Sequence, residues 1–422
     1  MEENTPTISL ISCMHFVRRG VAKAVPEKIE LTEKELEKII KQTAEDLRVT
    51  ERGEDESDEE GANGAADPPE DPNDEFNFEK YDEEDNSKYN PIGIGTVATL
   101  PNLGDLSENV QIRTEGADSD EEDDIIKPED NLLLVGHVES DASILEVYIF
   151  NKEEGSFYVH HDIILPWFPL CIEWLSHDPT DANPGNLCAL GGMDPVIQVW
   201  DLDIENCLEP AFKLGKKPNK KKKTKRVGHK DAVLDLSWNR NFTHVMASGS
   251  ADTTVLLWDL DQGTPHTKLD YFQDKVQSLK FHPLEAQTLL SGSCDGYARV
   301  TDCRSPEAYR SWQLGPEIER VTWDTQNPFC FARLPCLFIV IFSDLDVLNS
   351  EPVQVSERAG KVGQALCAAA CPEAPFSVAV GGDNKENYIE LLDLNINENV
   401  VNRFGSRPFL TGKTESNEEM ET

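Results

Sequence analysis

Asp252, His229 and Ser248 are the residue types of a hydrolytic triad, and all three fall in one 24-residue stretch of this chain. A triad needs its serine beside an oxyanion hole in a cleft. Here the residues follow a Gly-His pair and precede a Trp-Asp pair in a stretch that recurs, so their spacing points to structure. An aspartate in a tight turn can orient an imidazole, which reaches a serine hydroxyl, which in turn satisfies the Trp258 indole N–H. Forty-three residues later the chain keeps Asp295 and Ser291 but has Phe272 and Thr301 for the histidine and the tryptophan. A shorter network is predicted there.

A second group of residues could act on phosphate. Lys216, Lys217, Lys220, Lys221, Lys222, Lys223, Lys225 and Arg226 form one dense basic tract. Such a tract suits nuclear targeting or RNA phosphate contact. No aromatic side chain is interleaved with it, so any RNA contact is expected to be independent of sequence. Ser57 and Ser119 each open a Ser-Asp-Glu-Glu tetrapeptide, the acidic context that some kinases read, and phosphorylation would deepen the local negative field. The ten cysteines include no Cys-x-x-Cys pair, which predicts buried reduced thiols rather than a zinc or redox site. Walker, HExxH and GxSxG motifs do not occur, and no catalytic residue, metal site, cofactor or small-molecule substrate is expected.

The elements that must position these residues repeat. Val233–Trp238, then Ala-Ser-Gly-Ser-Ala-Asp252, then Val255–Asp259 return 43 residues later as Val276–Phe281, Leu-Ser-Gly-Ser-Cys-Asp295 and Arg299–Asp302. Another copy opens at Ile318–Trp323, and an earlier one closes at Val196–Asp201. A period of roughly 40–45 residues with Gly-His and Trp-Asp punctuation is the mark of a WD-repeat β-propeller blade. Extra residues in the earlier copy fall in a turn-rich run after His177 and in the lysine tract, both loop positions. The repeat signal lapses between Arg333 and Lys361 and resumes near Leu366.

The formal net charge is −40, from 79 acidic and 39 basic residues, and 37 of the acidic ones lie in residues 1–130. That field repels nucleic acid except at a local basic patch and favours basic partners. The expected organisation is a segment 1–50 with a short helix, an acidic disordered region 51–130, an all-β propeller 131–395 and a disordered tail 396–422. Thr32 and Glu35 form a capping box for the helix, and Leu36, Ile39, Ile40, Thr43 and Leu47 give it one apolar stripe. Ile8 to Val21 alternates poorly, and Arg18-Arg-Gly20 interrupts it. No basic n-region opens the chain, and the longest apolar run, Leu334 to Phe342, is about half of what spans a bilayer. A soluble intracellular protein is expected.

Longer runs add a resemblance. Phe16–Lys23, Pro26–Thr32, Phe157–Ile163, Val199–Asp203, Asp231–Trp238, Phe281–Thr288, Asp302–Pro306, Ile318–Trp323 and Phe404–Arg407 resemble the periodic tryptophan protein family, WD-repeat proteins of the nucleolus. The resemblance implies a nominal seven blades, of which one is eroded or missing here, because a Trp-Asp blade between Ala332 and Gly363 departs from the pattern. It also implies a non-catalytic factor of the nucleus and nucleolus in ribosome biogenesis. Its partners would be ribosomal proteins, pre-ribosomal assembly factors and histones, with no membrane. The alternative it leaves open is a histone-binding propeller that promotes ribosomal RNA transcription.

Overall fold

The computed structural model describes residues 9–28, 125–323, 331–334, 340–344, 353–358, 361–393, 396–398 and 401, apart from 141, 220–222, 306, 375–376 and 386. The helix expected after Thr32, both Ser-Asp-Glu-Glu serines and three of the lysines lie outside these residues. None of the described helical residues forms a segment long and apolar enough to cross a membrane.

Among the described residues the architecture is β, apart from the helical Ile396, Glu398 and Val401. Strand β1 (Ser9–Val17) is followed by the short β2 (Glu27–Lys28), and the described chain resumes at Ile125. Then β3 (Asn131–Glu139), β4 (Ala142–Asn151) and β5 (Ser156–Leu165) join β1 in the order β1-β3-β4-β5 as blade 1. Blade 2 holds β6 (Pro169–Leu175), β7 (Leu187–Gly192), β8 (Ile197–Asp201) and, after β9 (Ile204–Glu205), the short β10 (Phe212–Leu214). Blade 3 is β11 (Val233–Trp238), β12 (Val245–Ser250), β13 (Val255–Asp259) and β14 (Thr264–Leu269). Blade 4 is β15 (Val276–Phe281), β16 (Thr288–Ser293), β17 (Tyr297–Asp302) and β18 (Tyr309–Gln313). Two-stranded ladders follow, β19 (Arg320–Trp323) with β20 (Phe331–Leu334) and β21 (Val340–Asp344) with β22 (Val353–Arg358). Blade 5 is β23 (Ala365–Ala370), β24 (Ser377–Gly382) and β25 (Ile389–Asp393).

Among the described residues the architecture is therefore a propeller of five blades with three or four strands each, and its two ladders lie where the repeat signal weakens and lapses. Burial falls from the inner strands outwards. All six residues of β7 and of β24 are buried, because both faces of these strands are covered by neighbouring blades, while every residue of β18 is exposed.

The propeller does not begin at residue 131. Ser9–Val17 pairs along its length with Asn131–Glu139 and supplies the innermost strand of blade 1. The acidic stretch is thus an insertion between the first and second strands of a blade. The alternation of β1 is poor because the ladder shifts register between Ile11 and Cys13, which breaks the period of two.

The same irregularity recurs in every blade. After a register shift in the innermost strand, one residue faces a glycine of the second strand: Cys13–Gly136, Cys171–Gly191, Asp235–Gly249, Ser278–Gly292 and Cys367–Gly381. The glycine makes room. A Cβ on Gly136 or Gly191 would lie 2.6 Å from the facing sulfur, and one on Gly292 would lie 2.7 Å from Ile318 of the next repeat. The residue after the shift reaches forward to the next innermost strand. Asp235 accepts from the Leu279 N–H at 2.7 Å and Ser278 from the Val321 N–H at 3.2 Å. The Cys171 thiol points to the Val233 carbonyl and the Cys367 thiol to the Ile11 carbonyl, each at 3.7 Å. The last contact joins blade 5 to blade 1.

The inner strands also carry charge. Glu173 on β6 accepts from the Trp238 N–H at 3.2 Å and pairs with Lys280 at 3.3 Å, while Asp235 pairs with Arg320 at 3.2 Å. The expected buried thiols are present: Cys13, Cys171, Cys188, Cys207, Cys367 and Cys371 are buried and unbridged, and burial raises the thiol pKa of each.

Candidate interaction site: the lysine hairpin and its mount

Asp252, His229, Ser248 and Trp258 come together in blade 3. The Trp258 indole N–H donates to the Ser248 hydroxyl at 2.7 Å, and Ser248 lies 2.7 Å from His229 Nε2. His229 Nδ1 lies 3.1 and 3.2 Å from the two Asp252 oxygens. One proton arrangement satisfies every group: Ser248 donates to Nε2, and the Nδ1–H donates to the carboxylate. The Thr254 hydroxyl and the Lys230 N–H also donate to Asp252, at 2.6 and 2.8 Å. Burial would raise the Asp252 pKa, but the hydrogen bond from His229, with those from Thr254 and the Lys230 N–H, holds it well below the usual carboxylate range. Ser248 is fully buried and its hydroxyl is committed to this chain, so it offers no nucleophile.

Neighbouring blades keep the turn aspartate and change its partner. Asp194, Asp252 and Asp295 each accept the backbone N–H two residues on, at 2.9, 3.1 and 3.0 Å. Asp252 holds His229, whereas Asp295 forms a bidentate pair with Arg299 at 3.1 and 2.7 Å. The Arg299 guanidinium lies over the Phe272 ring, 5.0 Å from its centroid. The network predicted to be shorter in blade 4 is instead rebuilt around an arginine four residues beyond the aspartate. Blade 2 has Leu190 in the register position of Ser248, and the buried Trp200 indole N–H has no partner there.

Asp194 of blade 2 takes Lys217, at 2.7 Å. That contact ties the basic tract to the propeller. From β10 the chain turns at Gly215, runs out through Lys216 and returns through Val227 to Gly228. Lys216 and Val227 exchange two backbone hydrogen bonds at 2.7 and 3.0 Å, and Asn219 and Thr224 two more at 3.1 Å. The described residues of the tract pair as the two arms of a hairpin, not as a loose loop. Lys216, Lys217, Lys223, Lys225 and Arg226 are all exposed on it. Arg226 also donates to the His229 carbonyl at 3.1 Å. Lys220, Lys221 and Lys222 fall outside the described residues.

Trp258 is the floor of this mount. Gly215 and Gly228 have φ of +98° and +100°, and both pack on the edge of its indole. A Cβ on Gly228 would lie 2.8 Å from a Trp258 ring carbon. Gly228→Ala is therefore expected to cost about 1–3 kcal/mol, read as a lower urea midpoint. Gly263→Ala supplies the control. Its φ is +62° with nothing within 4 Å of the added carbon, so it should cost less than Gly228→Ala.

Residues 220–259, which run from the lysine tract through Trp258 and Asp259, match the family model described as "WD domain, G-beta repeat". Across the whole chain, the similarity to "Periodic tryptophan protein 1 homolog" of Drosophila melanogaster is 42% identity, covering 90% of this chain and 93% of that one. The chain belongs to the periodic tryptophan protein 1 family. "Periodic tryptophan protein 1" of Saccharomyces cerevisiae is 32% identical over 75% of this chain and 68% of its own. An uncharacterized WD repeat-containing protein of Schizosaccharomyces pombe is 34% identical over 90% and 79%. Within this family the five blades and the mounted hairpin make the chain a WD-repeat scaffold, a surface for protein–protein contact.

Proposed function

We propose that this scaffold serves ribosome biogenesis in the nucleolus, holding large-subunit precursors together through ribosomal proteins, assembly factors and a sequence-independent RNA contact. The observation that carries this reading is the mounted hairpin. Exposed cations on a two-rung ladder, tied by Lys217 to Asp194 and seated on Trp258, present charge at a fixed place on an otherwise strongly acidic chain. Phosphate oxygens are the anions such a hairpin suits, because each contact releases condensed counterions. The acidic insertion favours basic clients, as ribosomal proteins are. Phosphorylation at Ser57 and Ser119 would strengthen that preference.

Replacing Lys216, Lys223, Lys225 and Arg226 together by serine, with Lys217 kept, should weaken binding to mixed-sequence RNA. It should also reduce the slope of log affinity against log salt by about 0.7 for each phosphate that no longer meets a cation. An unchanged slope would remove the hairpin from the RNA contact.

The scaffold reading itself is tested by affinity purification from nuclear extract divided between ribonuclease and deoxyribonuclease treatment. Large-subunit proteins lost with ribonuclease are the expected result. One observation favours the alternative, a histone-binding propeller that promotes ribosomal RNA transcription. A chromatin assembly factor 1 component of Gallus gallus is 36% identical over 28% of this chain and 21% of its own length. Histones that persist through ribonuclease and leave with deoxyribonuclease would replace the first reading with that one.

A further inference from the structure

The outermost strand of blade 1 contains two adjacent histidines that the network and the hairpin do not use. In a regular strand, His160 and His161 would face opposite sides of the sheet. They do not, because Val147 pairs with His161 and Tyr148 with Val159, leaving His160 as the extra residue of a bulge. Bulges re-aim side chains at the cost of local pairing. Here the result is that the two Nδ1 atoms lie 2.9 Å apart, with the rings nearly perpendicular.

A carboxylate completes the group. Glu205, on β9, places Oε1 3.9 Å from His160 Nδ1. All three residues offer a ligand atom within 4.8 Å of the other two, the only such group among the described residues. Both His161 and Glu205 are buried, and the Nε2 of His161 has no partner. Glu205 is also met by Lys28, whose Nζ lies 3.5 Å from Oε2.

We propose that His160, His161 and Glu205 form a binding site for a zinc-class dication, with the fourth position left to water or to a ligand from a partner. Imidazole nitrogen with one carboxylate is the donor set of borderline transition metals, and it disfavours Mg2+ and Ca2+, which take oxygen. With metal–nitrogen bonds of about 2.05 Å, tetrahedral coordination needs the two Nδ1 atoms roughly 3.3 Å apart. The rings would open by about 0.4 Å, and the carboxylate would close on His160 by about 0.6 Å. The ion would tie the outer edge of blade 1 to the parallel ladder of β2 and β9, and β2 is the last described strand before the acidic insertion.

The test uses the full chain, stripped with chelator and held in excess Mg2+ to occupy the acidic runs. Co2+ is titrated and followed by visible d–d absorption, then displaced with Zn2+ in a calorimeter. The expected result is one equivalent of tetrahedral Co2+ per chain, displaced by Zn2+, with affinity reduced at least about tenfold in both Glu205→Gln and His160→Gln. Circular dichroism establishes that each variant is folded. Should His160→Gln fail that check, Glu205→Gln alone decides, since it keeps the size and polarity of the side chain. Absence of the tetrahedral bands, or affinity unchanged in the folded variants, overturns the site.

Discussion

Trp258→Ala should destabilise the propeller by about 3–5 kcal/mol, the range for removing a buried tryptophan. The side chain is 1% exposed, and its loss opens a cavity under the hairpin mount. Ser248 loses its donor, while Gly215 and Gly228 lose the ring they pack on. The amides of Lys216 and Val227, bonded to each other across the hairpin base, should then exchange faster with solvent than in the parent chain. Equilibrium urea unfolding gives the stability loss, and hydrogen exchange gives the local effect. A milder change isolates the polar link. Ser248→Ala leaves the indole N–H and His229 Nε2 buried without their shared partner, at about 1–3 kcal/mol. A midpoint unchanged by Ser248→Ala would mean that the hydrogen-bond chain is ornamental to the blade.

Glu173→Ala is expected to cost about 3 kcal/mol, the lower end of what breaking a buried ion pair costs. Glu173 is almost fully buried, but the Lys280 side chain is 38% exposed and recovers some hydration once its partner is gone. The Trp238 N–H, which Glu173 accepts across the blade boundary, recovers none. Burial would raise the Glu173 pKa, but Lys280, His15, Arg240 and that N–H together hold it below its ordinary value. A carboxylate depressed in the folded state adds stability above its unfolded pKa, and that stability is lost as pH falls. His15, beside it, is pushed down to about 4, chiefly by burial, and is neutral in the folded protein at pH 7. The unfolded chain therefore binds more protons than the folded one between about pH 6.5 and 4, and stability falls through that window on acidification. His15→Gln should flatten the loss, as seen in urea midpoints at pH 7 and pH 5. Equal slopes for parent and variant would show that His15 does not set the acid response.

Much of this was legible in the chain because WD repeats punctuate themselves. Gly-His, the turn aspartate and Trp-Asp located the blade 3 network residue by residue, and the insertions fell in loops as their spacing required. What escaped has a common physical cause. A register shift converts a period of two into an irregular run, so β1 showed only poor alternation, and the adjacent histidines of β5 carried no sign of sharing a face. Pairing across more than a hundred residues left no local trace that Ser9–Val17 belongs to blade 1. Nor did spacing show that Arg299 would replace a histidine, since the substitute comes from a different strand position than the residue it replaces.

That distant pairing sets a schedule for synthesis. Strand β1 is made first, yet its ladder partner β3 follows only after the whole acidic insertion, and its contact with Cys367 is 356 residues away. At roughly 5–20 residues per second, that contact becomes available about 20–70 s after Ile11 is made. Until β3 is made, about 6–25 s after Ile11 at that rate, β1 waits as an unpaired apolar edge on a nascent chain, and the long-range closure with blade 5 that makes β topologies slow to fold comes later still. The negatively charged stretch that emerges just behind it repels its own kind on neighbouring ribosomes. The insertion that delays the first blade thus also keeps its waiting strand from pairing with another copy.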